Sequence, residues 1–176
     1  VSGDTLRILD AQTGRERGIW SAQPANPGSQ SAAKPVPVPE GLAMLTPRGI
    51  AIVRSENAAL VREILVPEGF SSAPILAGRE LVAVSGKGEV LVMDPSAGTV
   101  LVAIKTSLSG PCLLPRWSSG RLVVASRSGT VLSIDLGQRS VQWERSTGKT
   151  LEGDVEVGEG RLFIKTGSSE LLILDI

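Results

Sequence analysis

Three features of the sequence predict an all-β repeat architecture. Short runs rich in Val, Leu and Ile recur along the chain: LVAV at 81–84, VLVM at 90–93, LVVA at 122–125 and LLIL at 171–174. Gly residues interrupt these runs before a helix of ordinary length could form. Related text also returns at a near-constant spacing: RELVAVSGKGEVLVMDPSAGTVLVAI at 79–104, RLVVASRSGTVLSIDLGQRSVQW at 121–143, RLFIKTGSSELLILDI at 161–176 and DTLRILDAQTGRERGIW at 4–20. The chain of 176 residues, 41% hydrophobic and 20% charged, has a globular composition and is treated as one repeat segment over 1–176.

Aligning the repeats on the Asp that ends the second apolar run marks Asp10, Asp94, Asp135 and Asp175. The last two steps are 41 and 40 residues and the first is 84, two units of 42. A degenerate unit is therefore expected between Asp10 and Asp94, and GIAIVRSENAALVREI at 49–64 fills it, with Glu63 in the Asp place. A period near 40 with several short strands per unit marks propeller blades. About four blades of four antiparallel strands are expected, in a partial or open propeller.

The first unit supplies a third and fourth strand, at 4–10 and 15–20. Strands are expected at 72–77, 80–85, 89–94 and 99–105 in the third unit, and at 111–115, 121–126, 130–135 and 140–145 in the fourth. A last strand is expected at 169–175. Gly86, Gly88, Gly129 and Gly167 lie between paired runs, where a tight hairpin needs positive φ. Asp10 and Asp94 precede QTG and SAG, so each carboxylate can accept the amide two residues on and close the next hairpin. Pro74 and Pro111 are matched as starts of innermost strands, where no ladder donor is lost. The strands are continuously apolar rather than alternating, which means burial on both faces. Neighbouring blades provide that; a free-standing sandwich does not.

The pattern GRLVVASxSGTVLSID, then a Gly turn, then Trp or an aliphatic residue eight positions after the Asp, resembles the repeat of pyrroloquinoline-quinone-like propellers. Asp135 to Trp143 has this spacing, Asp94 to Val102 has it with Val in the Trp place, and Asp10 to Trp20 carries two extra residues. The resemblance implies that Trp20 and Trp143 dock against the adjacent blade. Together with Asp10, Asp94, Asp135 and Asp175 they form the expected structural set. Enzymes of that family hold the quinone with calcium, an Asp and commonly adjacent cysteines; this chain has one Cys and no Cys-Cys pair. Its non-enzymatic relatives include the lipoprotein that assists outer-membrane barrel assembly and the sensor propellers of bacterial kinases. Relatives close six to eight blades into a ring. Both ends of this chain carry a third strand, so the register does not close within it, and a larger propeller is expected. The chain begins with Val1, not Met, and shows no signal-peptide pattern.

Candidate functional residues are few. The zero net charge argues against general nucleic-acid affinity. No run approaches a membrane span. There is no His, so the commonest general base and metal ligand is missing. Cys112 is expected as a buried, unreactive thiol in an apolar inner strand. The Pro/Ser/Ala-rich stretch 21–47 is expected to be an inter-blade insertion, with a polyproline segment around Pro35, Pro37 and Pro39. Glu152, Asp154 and Glu156 alternate in LEGDVEV, which would line them on one strand face as a solvated row or, less simply, a cation site. The first turn of the fourth unit, LPRWSSG against LAG in the third, is expected to display Arg116 and Trp117 on a loop tip as partner-binding residues.

The reading is a non-catalytic propeller scaffold or protein-recognition module, not an enzyme, with no cofactor, metal or catalytic residue assigned. Its partner is another protein or the remaining blades. By the resemblance, its compartment is periplasmic or extracellular. The alternatives are a fragment of a quinoprotein dehydrogenase and the sensor domain of a membrane-bound kinase.

Overall fold

The computed structural model describes residues 5–21, 34–118, 120–168 and 170–175. Among them, strands form five separate antiparallel sheets, each a simple up-and-down meander. The first sheet pairs β1 (Thr5–Leu9) with β2 (Glu16–Ser21). The second contains β3 (Val36–Val38), β4 (Gly41–Thr46), β5 (Gly49–Val53) and β6 (Leu60–Leu65). The third contains β7 (Ile75–Ala77), β8 (Glu80–Val84), β9 (Val90–Asp94) and β10 (Thr99–Ile104). The fourth contains β11 (Arg116–Ser118), β12 (Arg121–Ala125), β13 (Thr130–Asp135) and β14 (Ser140–Ser146). The fifth contains β15 (Leu151–Gly158), β16 (Arg161–Thr166) and β17 (Leu171–Asp175).

Alternate residues of each central strand enter different cores. In the third sheet, Val82, Val84, Val90 and Val92 meet Leu122, Val124, Leu132 and Ile134 of the fourth sheet. Leu81, Ala83, Leu91 and Met93, on the opposite face, meet Ile50, Ile52 and Ala43 of the second. Val123, Ala125 and Val131 of the fourth sheet pack on Leu162, Ile164 and Leu174 of the fifth. The continuously apolar strands β8, β9, β12 and β13 are thus buried on both faces by a sheet on either side, which is blade stacking. The two-faced burial expected of 171–174 is not found, since Leu171 and Ile173 of β17 are exposed where no described sheet covers that face. Each fully buried Leu or Ile contributes roughly 1.5–3 kcal/mol relative to exposure.

The turns repeat as well. Thr46, Ser85, Ser126 and Thr166 stand at the end of the second strand of successive sheets, and the last three are buried. The hydroxyl of Ser85 accepts the amides of Lys87 (3.3 Å) and Glu89 (3.2 Å), and that of Ser126 accepts the amide of Thr130 (3.2 Å). A buried hydroxyl is tolerated because the turn it closes supplies its partners. Asp10 Oδ1 accepts the amides of Gln12 (3.0 Å) and Thr13 (2.8 Å), Asp94 Oδ1 those of Ser96 (2.7 Å) and Ala97 (3.1 Å), and Asp135 Oδ1 that of Gln138 (2.9 Å). These aspartates organise the hairpin that follows them in their own sheet. Asp175 Oδ1 lies 3.4 Å from Nε of Arg161.

The structure corrects several expectations. In the second sheet the Asp place belongs to Arg54, which follows β5 and whose carbonyl accepts the amide of Ala58 (3.0 Å); Glu63 lies in β6, opposite Ala51. The Asp turn can be made without Asp because Ala58 itself takes φ 59°, the left-handed conformation Gly98 takes in the third sheet. The stretch 21–47 is not wholly an insertion, since β3 and β4 occupy its C-terminal part; residues 22–33 lie outside the described residues. Pro37 fits in β3 because an edge strand can lose a donor on its free side.

The innermost strand of the fourth sheet is Arg116–Ser118, not 111–115. Arg116 pairs with Val123 as Ile75 pairs with Val82, and Trp117 pairs with Leu122 as Leu76 pairs with Leu81. The proline equivalent to Pro74 is therefore Pro115, and the first hairpins of the two sheets have the same length. Arg116 and Trp117 sit on a strand, not a loop tip. Cys112 lies ahead of that strand, joined to Ser126 by an isolated bridge, and is only partly buried. Burial still pushes its thiol upward, against the opposing effect of the Ser71 hydrogen bond.

Candidate functional site

First strands of adjoining sheets lie against each other, β3 with β7 and β11 with β15. Val36, Ile75 and Arg116, which open β3, β7 and β11, and Glu156 within β15 are equivalent by their cross-strand partners Ala43, Val82, Val123 and Phe163. The inner rim thus changes character along the chain: aliphatic in the second and third sheets, charged and aromatic in the fourth and fifth.

Arg116 is the centre of the polar half. Its Nε donates to the carbonyl of Val155 at 2.5 Å, and its Nη2 lies 3.1 Å from Glu156 Oε1 and 3.8 Å from Asp154 Oδ2. The guanidinium therefore clamps one sheet to the next through a backbone acceptor and two carboxylates. The arginine is about a quarter exposed and the two acids are mostly exposed, so solvent weakens the ion pairs. The charge-assisted bond to Val155 is the better-sheltered part.

Asp154 reaches this position because β15 bulges. The register slips between Glu152, opposite Lys165, and Val155, opposite Ile164. Gly153 takes φ 75° inside the bulge. The slip breaks the alternation expected of Glu152, Asp154 and Glu156. Asp154 and Glu156 turn to Arg116, whereas Glu152 lines a shallow cavity of about 430 Å³ with Lys149, Thr150, Thr166, Gly167 and Ser168. Beside it, Lys149 is ion-paired to Glu170, and this hydrogen bond holds the Glu170 carboxyl below its ordinary value. Among the described residues, no group of three His, Cys, Asp or Glu side chains converges as a metal site.

Trp117 follows Arg116 and remains 43% exposed, whereas its equivalent Leu76 packs against the core between the second and third sheets. Trp143, in β14, packs partly buried against the core between the fourth and fifth sheets. Trp20 is not at the equivalent place. Gly18 pairs with Ile8 as Val102 pairs with Val92, so Gly18 holds the position of Trp143 and Trp20 stands two residues further on. Gly18 is needed there because a Cβ would strike the backbone of Asn57 in the second sheet. Sequence reasoning found Arg116, Asp154 and Glu156 one by one but not their meeting. The available signal was the register: Glu156 lies 40 residues after Arg116, one repeat away.

Stacked, four-stranded antiparallel meanders with their first strands together define part of a β-propeller. Solved propellers bear this out. The crystal structure of BamB from Moraxella catarrhalis, a propeller of the pyrroloquinoline-quinone-like kind, superposes with a TM-score of 0.74 at 17% identity, covering 98% of this chain and 52% of that one. The computationally designed Ika8 protein gives 0.77 at 14% identity, over 97% of this chain and 52% of that one. The computationally designed Ika4 protein gives 0.71 at 14% identity, over 85% and 94%. The chain therefore spans about half the length of BamB and of Ika8. No family model and no curated protein matches the sequence. Among the described residues, no helix is long and apolar enough to cross a membrane.

Proposed function

We infer that this propeller segment is a non-catalytic scaffold that recognises a protein partner outside the cytoplasm through the inner rim of its fourth sheet. One observation carries the reading: β11 leaves Trp117 exposed where β7 packs Leu76, half-buried, against a core, beside an arginine whose position is fixed by Val155 and Glu156. A large, stiff aromatic ring next to a preorganised guanidinium has the composition of an interface anchor. Arg116 supports the ring's setting more than it offers free donors, since two of its groups are already engaged. Fold likeness to BamB supports a scaffold role, and further blades would complete the ring around this rim. The test compares wild-type and Trp117→Ala chains of equal thermal stability. A partner identified from the source organism and then purified should bind the wild type and lose affinity about tenfold or more with the variant. Equal binding by both would remove Trp117 from the reading. Bound-quinone absorbance with alcohol-dependent dye reduction, after incubation with pyrroloquinoline quinone and calcium, would replace the scaffold reading with a dehydrogenase.

A further inference from the structure

The last strand of each of the first four sheets is an edge. Among the described residues β2, β6, β10 and β14 are each paired on one side only. A strand edge presents free N–H and C=O groups that can template another strand, and charged side chains are a common defence. Three of the four edges are so defended: Glu16 and Arg17 in β2, Arg62 and Glu63 in β6, and Glu144 and Arg145 in β14. β10 reads TVLVAI, without charge or Pro. Ala103 occupies the register place held by Glu63 and Glu144. Val100 is 39% and Leu101 51% exposed on this strand.

We propose that β10 is an interface between two copies of this chain, paired edge to edge and antiparallel about a twofold axis. The occupant follows from charge. No two charges meet along the strand itself in such a pair. Its ends are complementary, because an axis through Leu101 or Val102 sets Lys105 of one copy opposite Ala97 or Thr99 of the other. Thr99 pairs with Asp94 in β9, and the amide of Ala97 is bonded to the Asp94 carboxylate. The Lys105 side chain is therefore directed across that strand toward Asp94 of the second copy, one strand further in, and symmetry repeats the approach at the other end. Among the described residues neither Lys105 nor Asp94 has an ion pair within its own chain. The joined sheets run to eight strands. A six-residue edge is well below the roughly 800 Å² per partner of a stable interface, so the dimer is concentration-dependent.

Sedimentation velocity of the full chain over a range of concentrations tests this, with hydrogen exchange locating the contact. The expected result is a reversible dimer that protects amides of residues 99–104 and leaves those of 60–65 and 171–175 unchanged. Leu101→Lys and Lys105→Glu each weaken it about tenfold or more, whereas Leu60→Lys on the β6 edge and Trp117→Ala do not. All four positions are exposed, so the variants fold. A monomer at every concentration, a dimer indifferent to Leu101→Lys, or protection confined to 171–175 would each overturn the proposal. The purified protein alone gives the readout, so its failure leaves the Trp117 reading standing, and the converse holds too.

Discussion

β7 and β11 hold the same place in consecutive sheets, yet one reads Ile75-Leu76-Ala77 and the other Arg116-Trp117-Ser118. Both pair in the same register with the strand that follows. The backbone position therefore does not demand an apolar residue; it demands compatibility with the next sheet. Ile75 packs against the apolar core between the third and fourth sheets, while Arg116 meets the Val155 carbonyl and two carboxylates of the fifth. An inner strand is an edge close to solvent, so either solution is stable provided its facing partner matches. The central strands have no such freedom, because both their faces are buried.

The contrast can be broken at three levels. The largest effect belongs to the central strands: Ile134→Ala should lower unfolding free energy by about 2–5 kcal/mol in a denaturant titration, since it leaves a cavity between two sheets. Next come reciprocal swaps on the inner rim. Ile75→Arg would bring a guanidinium against the apolar core between the third and fourth sheets, and should cost about 1–3 kcal/mol. Arg116→Ile, which gives β11 the β7 solution, should cost less, about 1 kcal/mol, because the acids it releases are already largely hydrated. A larger loss for Arg116→Ile than for Ile75→Arg would refute the matching rule.

The smallest effect concerns the turns. The amide and hydroxyl of Thr13, with Arg17, hold the Asp10 carboxyl below its ordinary value of 3.8. A depressed folded value means that this contribution is complete above the unfolded value and disappears as pH falls through the folded one. Carbon NMR titration should show Asp10 ionised below pH 3.8, and Asp10→Asn should flatten the acid limb of the thermal midpoint in that region. A titration at the ordinary value would contradict the turn geometry.

The repeat was legible because its signals are local. Runs such as Leu81–Val84 and Leu122–Ala125, separated by Gly turns and Asp caps, state their period and their two-faced burial without reference to distant residues. The degenerate unit was harder. Arg54 and Ala58 replace the Asp and Gly of the turn, so the alignment slid to Glu63, an acid in the wrong strand. The two prolines of 111–115 misled in the same way: Pro111 drew the match that belongs to Pro115, and the error put Arg116 and Trp117 on a loop.

The sequence by itself determined the β class, the spacing of the blades and the two-faced burial of the central strands of the third and fourth sheets, since these follow from unbroken apolar runs and turn chemistry within a few residues. Only the tertiary structure decided which residue of one repeat faces which residue of the next. Arg116 meets Asp154 and Glu156 through the offset between stacked sheets and a bulge at Gly153, and neither is written in the local pattern. Stacking energy is shared over many apolar contacts, so it sets that offset collectively, and the polar pairs at the rim are where its result becomes visible.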